Sequence, residues 1–192
     1  MRRRRVRRRR AADRQYELVA TLAMPASRLS SRIASSADSF ATKPSSGGIP
    51  AMPAAPTSVA VNATGMALAV KHFSPLLGGP RPVFAGLTAR LGSIGDNHLG
   101  GWHGYRASKA ALNQLIRCFA IELARSRPQA LCVGLPPGTV DTGLSKPFQR
   151  GVAPEKLFTP DFSARALLGV LDALDADSSG GLFAWDGTRI PY

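Results

Sequence analysis

Apolar side chains recur along residues 57–192 in blocks of two alternating kinds. In three blocks they stand at three- and four-residue steps, which predicts amphipathic helices. These blocks are residues 57–77, 105–125 and 162–174. Three shorter blocks are apolar without polar alternation, which predicts strands covered on both faces. They are residues 82–87, 131–135 and 181–185.

The order of these blocks predicts the fold class. Helix and strand alternate throughout, which is the pattern of an α/β protein with a doubly wound parallel sheet. Glycine and proline at residues 78–80 end the first helix, and those at 136–138 end the second strand. A glycine-rich loop over residues 92–104 precedes the strongest helix.

Residues 1–56 have a different character. An arginine run is followed by a tract rich in Ser, Ala and Pro, in which neither the helical nor the strand period is maintained. Such a composition buries too little apolar surface to offset the entropy of folding. We therefore expect residues 1–56 to be mostly disordered or non-native, and residues 57–192 to form the folded domain.

The net charge of +13 is concentrated at one end of the chain. Eight of the 25 Lys and Arg residues lie in residues 2–10, and the remainder is 17 basic against 12 acidic residues. The run could be a nucleic-acid arm, an organelle address or a membrane-surface tether. GC-rich DNA read upstream of a start or out of frame also encodes Arg, Ala, Pro and Gly. We favour this last interpretation and do not expect a nucleic-acid partner.

The cysteines and the hydropathy indicate a cytoplasmic protein without a metal. Cys118 and Cys132 lie in apolar periodic segments without metal-like spacing to a histidine, so buried, reduced thiols are expected. No apolar run approaches the roughly 18 residues that span a bilayer. Residues 18–26 match a secretory leader poorly, because Asp13 and Glu17 lie beside a short apolar stretch.

Tyr105 and Lys109 carry the candidate chemistry. Four residues apart on a predicted helix, they project from the same face. A lysine ammonium beside a phenol favours the phenolate, so we expect the pKa of Tyr105 to fall below its free value of about 10. Such a tyrosine is suited to exchanging a proton with a carbonyl or alcohol oxygen. As a bare spacing, the pair would equally fit a solvated helix face.

The residues around this pair resemble the short-chain dehydrogenase/reductase family. The segment Tyr-Arg-Ala-Ser-Lys-Ala-Ala-Leu begins at Tyr105, and three further motifs stand in the family's order. They are Val-Asn-Ala-Thr-Gly at 61–65, Gly-Ser-Ile-Gly-Asp-Asn with Leu-Gly-Gly-Trp at 92–102, and Pro-Gly-Thr-Val-Asp-Thr at 137–142. The loop motifs resemble the subgroup that includes C-factor and sniffer-type carbonyl reductases. The resemblance covers residues 57–192.

This resemblance implies the C-terminal half of a Rossmann-like domain and an NAD(P)-dependent oxidoreductase. The substrate would be a small carbonyl compound or secondary alcohol, and the assembly a homodimer or homotetramer. Tyr105 would be the general acid/base, and Lys109 would bind the nicotinamide ribose. Asn62 would hold a water that relays protons to Lys109, although it could instead cap a helix start. The residues implied to line the nicotinamide are Pro137, Gly138, Thr139, Val140 and Thr142.

The sequence departs from the family pattern at two places. Two serines usually follow the strand, and Thr88 and Ala89 stand there instead. Ser93, twelve residues before Tyr105, is the first candidate for polarising the substrate carbonyl, and Thr88 is the second. Nothing before residue 57 supplies the strand and glycine-rich turn that bind a dinucleotide, so NAD cannot be distinguished from NADP. The alternative is a non-catalytic relative that acts by binding or dimerisation.

Overall fold

The computed structural model describes residues 58–192, so the predictions made for residues 1–56 lie outside the described part of the chain. We number the elements of this part in chain order. The helices are α1 (Gly65–Phe73), α2 (His103–Ser126) and α3 (Pro160–Ala173). The strands are β1 (Val83–Leu87), β2 (Leu131–Leu135), β3 (Thr139–Val140), β4 (Leu157–Phe158), β5 (Leu182–Phe183) and β6 (Arg189–Ile190).

The main sheet has the order β1-β2-β5-β6. β1, β2 and β5 are parallel, with α2 and α3 as their crossovers, and β6 returns antiparallel to β5. The predicted α/β class is confirmed. The predicted parallel sheet is confirmed over β1, β2 and β5, and a tight turn adds β6 antiparallel at one edge, which was not predicted. The sequence analysis also missed the parallel pair β3–β4, whose strands have only two residues each and show no periodicity.

Local sequence explains the helix boundaries. A π-helical turn, Ala60–Thr64, leads into α1, and a 3₁₀ turn, Ser74–Leu76, follows it. The α-helix therefore ends at Phe73, before the glycines at 78 and 79, because Pro75 has no amide hydrogen to donate to the preceding helical turn. At the start of α3, Thr159 caps the helix by accepting a hydrogen bond from the Phe162 amide at 3.2 Å.

Two apolar layers cover the sheet, and side chains of β2 alternate between them. Cys132 packs with α1 and α2, in a cluster that includes Val70 and Ile116. Leu131 and Val133 point to the opposite face, where α3 contributes further buried side chains. Helices on both faces are what the uninterrupted apolar strands predicted.

Two glycines let α2 approach the sheet closely. Gly86 of β1 and Gly134 of β2 are partners in the sheet register. A Cβ atom at either position would lie 3.1 or 3.2 Å from the Cδ1 atom of Ile116. Ile116 is fully buried, so it fills the space that the two missing side chains leave. This contact fixes the distance between α2 and the strands.

We therefore expect Ile116→Ala to destabilise the fold by about 2–5 kcal/mol, because it removes buried contacts and leaves a cavity. Ile121 lies on the same helix and is 46% exposed, so Ile121→Ala should change stability by less than about 1 kcal/mol. Urea unfolding of both variants measures the difference. Equal losses would show that α2 is not held through Ile116.

Candidate active site

The first turns of α2 and the end of β1 bring the candidate chemistry together. The Lys109 ammonium donates a hydrogen bond to the Leu87 carbonyl at 3.1 Å and lies 5.9 Å from the centroid of the Tyr105 ring. Lys109 is only 8% exposed, and Tyr105 is half-buried. A Cβ atom at Gly92 would lie 2.7 Å from the Lys109 backbone, so glycine is needed there for the loop to pass this close.

Burial dominates the ionisation of both groups. Desolvation lowers the pKa of Lys109 to about 8 and raises the pKa of Tyr105 above 10.0. The expected lowering of the Tyr105 pKa by Lys109 was therefore wrong for this arrangement. The ammonium lies over the ring and bonds to a backbone carbonyl, so it does not compensate for the desolvation of a phenolate. The result at neutral pH is a protonated phenol.

Asn62 reaches the helix that carries Tyr105. Its amide nitrogen donates to the Ser108 hydroxyl at 3.0 Å, and that hydroxyl donates to the Tyr105 carbonyl at 2.8 Å. Asn62 lies within the π-helical turn, so the interpretation as a helix-start cap was wrong. Single π turns inside helices are frequent at functional sites. Its contact with Ser108, which is fully buried, was not foreseen from the sequence.

The two hydroxyls considered for the serine role have other partners. Ser93, 2% exposed, donates to the Pro191 carbonyl at 2.5 Å and accepts from the Asp96 amide at 3.0 Å. Thr88, 4% exposed, donates to the Asn113 side-chain carbonyl at 2.5 Å. Both hydroxyl protons are therefore used within the protein. The role of carbonyl donor predicted for Ser93 stays a prediction.

The Pro-Gly segment begins where β2 ends. The Pro137 carbonyl accepts a hydrogen bond from Ser163 of α3 at 2.9 Å. Gly138 has a φ of +77°, which favours glycine, and Thr139 with Val140 forms β3. Thr142 is exposed and ends the segment. These residues follow β2 as Tyr105 and Lys109 follow β1, so both groups lie at the carboxyl edge of the parallel strands.

An aromatic cluster supports this segment from behind. The rings of Phe158 and Trp185 are 4.6 Å apart between centroids, and Phe162 lies 4.9 Å from Phe158. A Cβ atom at Gly138 would lie 2.6 Å from the Phe158 ring, so the backbone rests directly on the aromatic face. This cluster was not predicted, because Phe158 lies in β4, Phe162 in α3 and Trp185 in the turn after β5.

The contacts of Arg106 were also not predicted from the sequence. Its guanidinium donates to the carbonyls of Gly100, Gly101 and Leu91 at 3.0 to 3.2 Å. It also lies 5.8 Å from the Trp102 ring centroid. Trp102 has a φ of 48° and immediately precedes α2. Arg106 therefore holds the glycine-rich loop to the first turn of the helix that carries Tyr105. Only its place inside the Tyr-to-Lys motif could have drawn attention to it.

Two searches of residues 58–192 were negative. In this range no helix is both long and apolar enough to cross a membrane. Within the same range, no group of three or more His, Cys, Asp or Glu side chains is placed to hold a metal ion.

Sequence comparison finds bacterial relatives. The chain is 38% identical over 109 residues to C-signal of Myxococcus xanthus, which covers 56% of this chain and 60% of the relative. It is 34% identical over 134 residues to 1-hydroxy-2-glutathionyl-2-methyl-3-butene dehydrogenase of Rhodococcus sp. strain AD45, covering 70% of this chain and 57% of the relative. The chain thus spans less than two thirds of either protein. No protein-family model matches it.

Solved structures share the fold. The NADPH-bound carbonyl reductase from chicken fatty liver matches with a TM-score of 0.62 and 28% identity, over 70% of this chain and 55% of that one. A protein of Burkholderia multivorans, described as a short-chain dehydrogenase/reductase with bound NADP, matches with a TM-score of 0.59 and 26% identity. That match covers 77% of this chain and 60% of the other.

The buried ammonium predicts a pH effect on stability. Because the pKa of Lys109 is about 8 in the folded chain and near 10.5 when exposed, the unfolded chain binds more protons between these values. Stability should therefore rise with pH across this window, by up to about 3 kcal/mol. The Lys109→Met variant should lack this increase in stability with pH. Lys71 is exposed, so the control variant Lys71→Met should retain the increase.

Urea unfolding at about pH 7, 8.5 and 10 measures this effect. Burial raises the pKa of the Cys132 thiol to about 12, which lowers stability at high pH in every variant. The difference between wild type and Lys109→Met isolates the lysine contribution. A difference that stays constant with pH would contradict a desolvated Lys109.

Proposed function

We propose that this chain, which belongs to the short-chain dehydrogenase/reductase family over the part that its relatives match, serves as an NAD(P)-dependent oxidoreductase. One observation carries the proposal. The Tyr105–Lys109 pair follows β1 and the segment that starts at Pro137 follows β2, and these neighbouring strands are parallel. Ligands of open α/β sheets bind at the carboxyl ends of the strands. The substrate would be a carbonyl compound or a secondary alcohol.

Tyr105 is the proposed general acid/base. A tyrosine with its ordinary pKa of about 10 is already protonated at neutral pH, and burial raises the pKa of Tyr105 further. The protonated phenol is the form that donates a proton to a carbonyl oxygen during reduction. In the reverse direction, Tyr105 would accept the proton of the alcohol, which its raised pKa makes less favourable at neutral pH.

The described residues fit the nicotinamide end of NAD or NADP. Lys109 offers a buried ammonium for ribose hydroxyls, and its lowered pKa leaves it mostly charged at pH 7. The segment Pro137, Gly138, Thr139, Val140 and Thr142 offers main-chain groups at the carboxyl end of β2. The nicotinamide would supply the hydride for the substrate carbon. NADPH and NADP in the two matched structures support this assignment.

Asn62 is proposed to support Tyr105 and Lys109 indirectly, through its contact with Ser108. Its hydrogen bond to Ser108 and the onward bond to the Tyr105 carbonyl tie the π-helical turn to the first turns of α2. The half-buried position of Asn62 is compatible with a bound water that connects to Lys109. Tyr105 is the hydroxyl proposed to contact the substrate oxygen, because the protons of Thr88 and Ser93 have partners in the protein.

A second candidate is a non-catalytic module that binds or dimerises. Its support is a set of exposed apolar side chains on α1 and α2, together with Ala89 in place of a serine. Leu68 is 49% exposed, Phe73 37% and Ile121 46%. A second copy that packed against these two helices would bury such side chains. A homodimer or homotetramer would cover them in either candidate function.

We expect Tyr105→Phe to lower kcat/KM for NADPH-dependent reduction of an aromatic aldehyde by about 10²–10⁴-fold, because it removes the proton donor. NADPH binding, followed by fluorescence titration, should change little, because the ring and Lys109 remain. Glu122→Gln on the exposed face of α2 should leave both unchanged. Residual activity within threefold of wild type would exclude Tyr105 as the acid.

The interface can be tested separately. Leu68→Asp should shift the protein toward monomer in sedimentation velocity, because a carboxylate would be buried between subunits. The matched variant Leu144→Asp, 69% exposed on the loop after β3, should not. A monomeric wild type would contradict the interface. A dimer that neither binds NADPH nor reduces aldehydes would favour the second candidate.

A further inference from the structure

We propose that the tail after β6, Pro191 and Tyr192, positions the β1–α2 loop (residues 88–102) over the catalytic pair, with Ser93 as the residue that couples loop and tail. The inference rests on the proposed function, since it assigns a positioning role at that site. It starts from a contact that links residues 98 positions apart, the 2.5 Å hydrogen bond from the Ser93 hydroxyl to the Pro191 carbonyl.

The loop and the tail are joined by a second bond. The Gly95 amide donates to the Tyr192 carbonyl at 2.8 Å. A Cβ atom at Gly95 would lie 3.0 Å from that same carbonyl oxygen and 3.4 Å from the Pro191 ring, so the two backbones touch. Ser93 also accepts the Asp96 amide and thereby closes the turn between the two contacts.

The other side of the loop rests on α2. Gly92 lies against the Lys109 backbone, and Arg106 holds the Leu91 carbonyl at 3.2 Å. The loop is thus enclosed between the helix that carries the proposed acid and a tail that follows the edge strand β6. Pro191 follows β6 directly. The position of the sheet edge therefore determines where the tail lies, and with it the loop that is hydrogen-bonded to the tail.

The burial of Ser93 and its hydrogen bonds indicate a role in positioning the loop. In this arrangement Ser93 is 2% exposed and its hydroxyl proton is donated to the Pro191 carbonyl. Ser93 acts through the loop, whose later residues, up to Trp102, lead into the first turn of α2. Loss of the coupling should let the loop move away from the site and weaken substrate binding without altering the ionisation of Tyr105.

Two backbone amides report on the coupling independently of activity. Hydrogen exchange at Gly95 and Asp96 is measured by NMR for the full chain, for Ser93→Ala, and for a variant that stops after Ile190. In Ser93→Ala the acceptor of Gly95 is untouched, and in the shortened variant the acceptor of Asp96 is untouched. Gly95 in Ser93→Ala and Asp96 in the shortened variant should nevertheless exchange roughly 5- to 30-fold faster than in wild type. This factor is expected for the loss of one or two hydrogen bonds.

Tyr192→Phe is the matched control, because it keeps the carbonyl that Gly95 uses, and its exchange should equal that of wild type. The amides of β2 should stay protected in all variants. Unchanged exchange at Asp96 in the shortened variant would overturn the proposal, since the contacts with α2 would then suffice. Faster exchange in β2 as well would also overturn it, because the effect would be global unfolding.

Kinetics test the positioning role. With NADPH and benzaldehyde, Ser93→Ala and the shortened variant should both raise KM roughly tenfold, as expected for about 1.4 kcal/mol of lost binding energy. The pH midpoint of kcat should not move. The positioning role would be overturned if exchange at Gly95 and Asp96 became faster while KM stayed unchanged. A loss of kcat without a change in KM in Ser93→Ala would also overturn it. If wild type shows no turnover, the proposed function fails, and the exchange measurements still decide whether the tail holds the loop.

Discussion

The close approach of α2 to β1 and β2 is the constraint on which the candidate site depends. Gly86 and Gly134 are partners in the sheet, and Ile116 occupies the space above both. Lys109 lies two turns before Ile116 on the same helix, so the depth of the isoleucine sets the depth of the ammonium. A side chain at Gly86 would meet Ile116 first, so it would lift α2 and carry the candidate pair away from the strand ends, whereas one at Gly134 would meet Leu182 of β5 first.

The depth of α2 has an electrostatic consequence. Lys109 loses most of its contact with water and has the Leu87 carbonyl as a partner in the sheet. A backbone dipole compensates an ammonium only in part, so the lysine pKa falls to about 8 and the Tyr105 pKa rises. The two shifts have the same cause and leave one cation and one neutral phenol at pH 7. Burial therefore keeps the phenol neutral, whereas the spacing of the two residues alone suggested a lowered phenol pKa.

The elements of the fold were predictable where residues close in sequence decide them. The helix at His103–Ser126 and the strand at Leu131–Leu135 follow from spacing and apolar content, because both are buried against neighbours over several turns or residues. The antiparallel strand β6 and the pair β3–β4 were not predictable, since strands of two residues carry no period. The candidate pair Tyr105 and Lys109 was identified through its motif. The contact of Asn62 with Ser108 was not, because it spans 46 residues.

The hydroxyls show why position along the chain was insufficient to assign roles at this site. Thr88 and Ser93 were ranked by their distance in sequence from Tyr105, but their function depends on which acceptor each proton meets. Thr88 donates to the side chain of Asn113 in α2, and Ser93 donates to the backbone carbonyl of Pro191 after β6. Neither acceptor is near in sequence, and neither belongs to a motif. A reactive pair needs such outer support, because side chains must be held within fractions of an ångström for proton transfer. In this fold α2 carries the candidate pair, and the proposed support from the other side comes from the sheet edge through the β1–α2 loop.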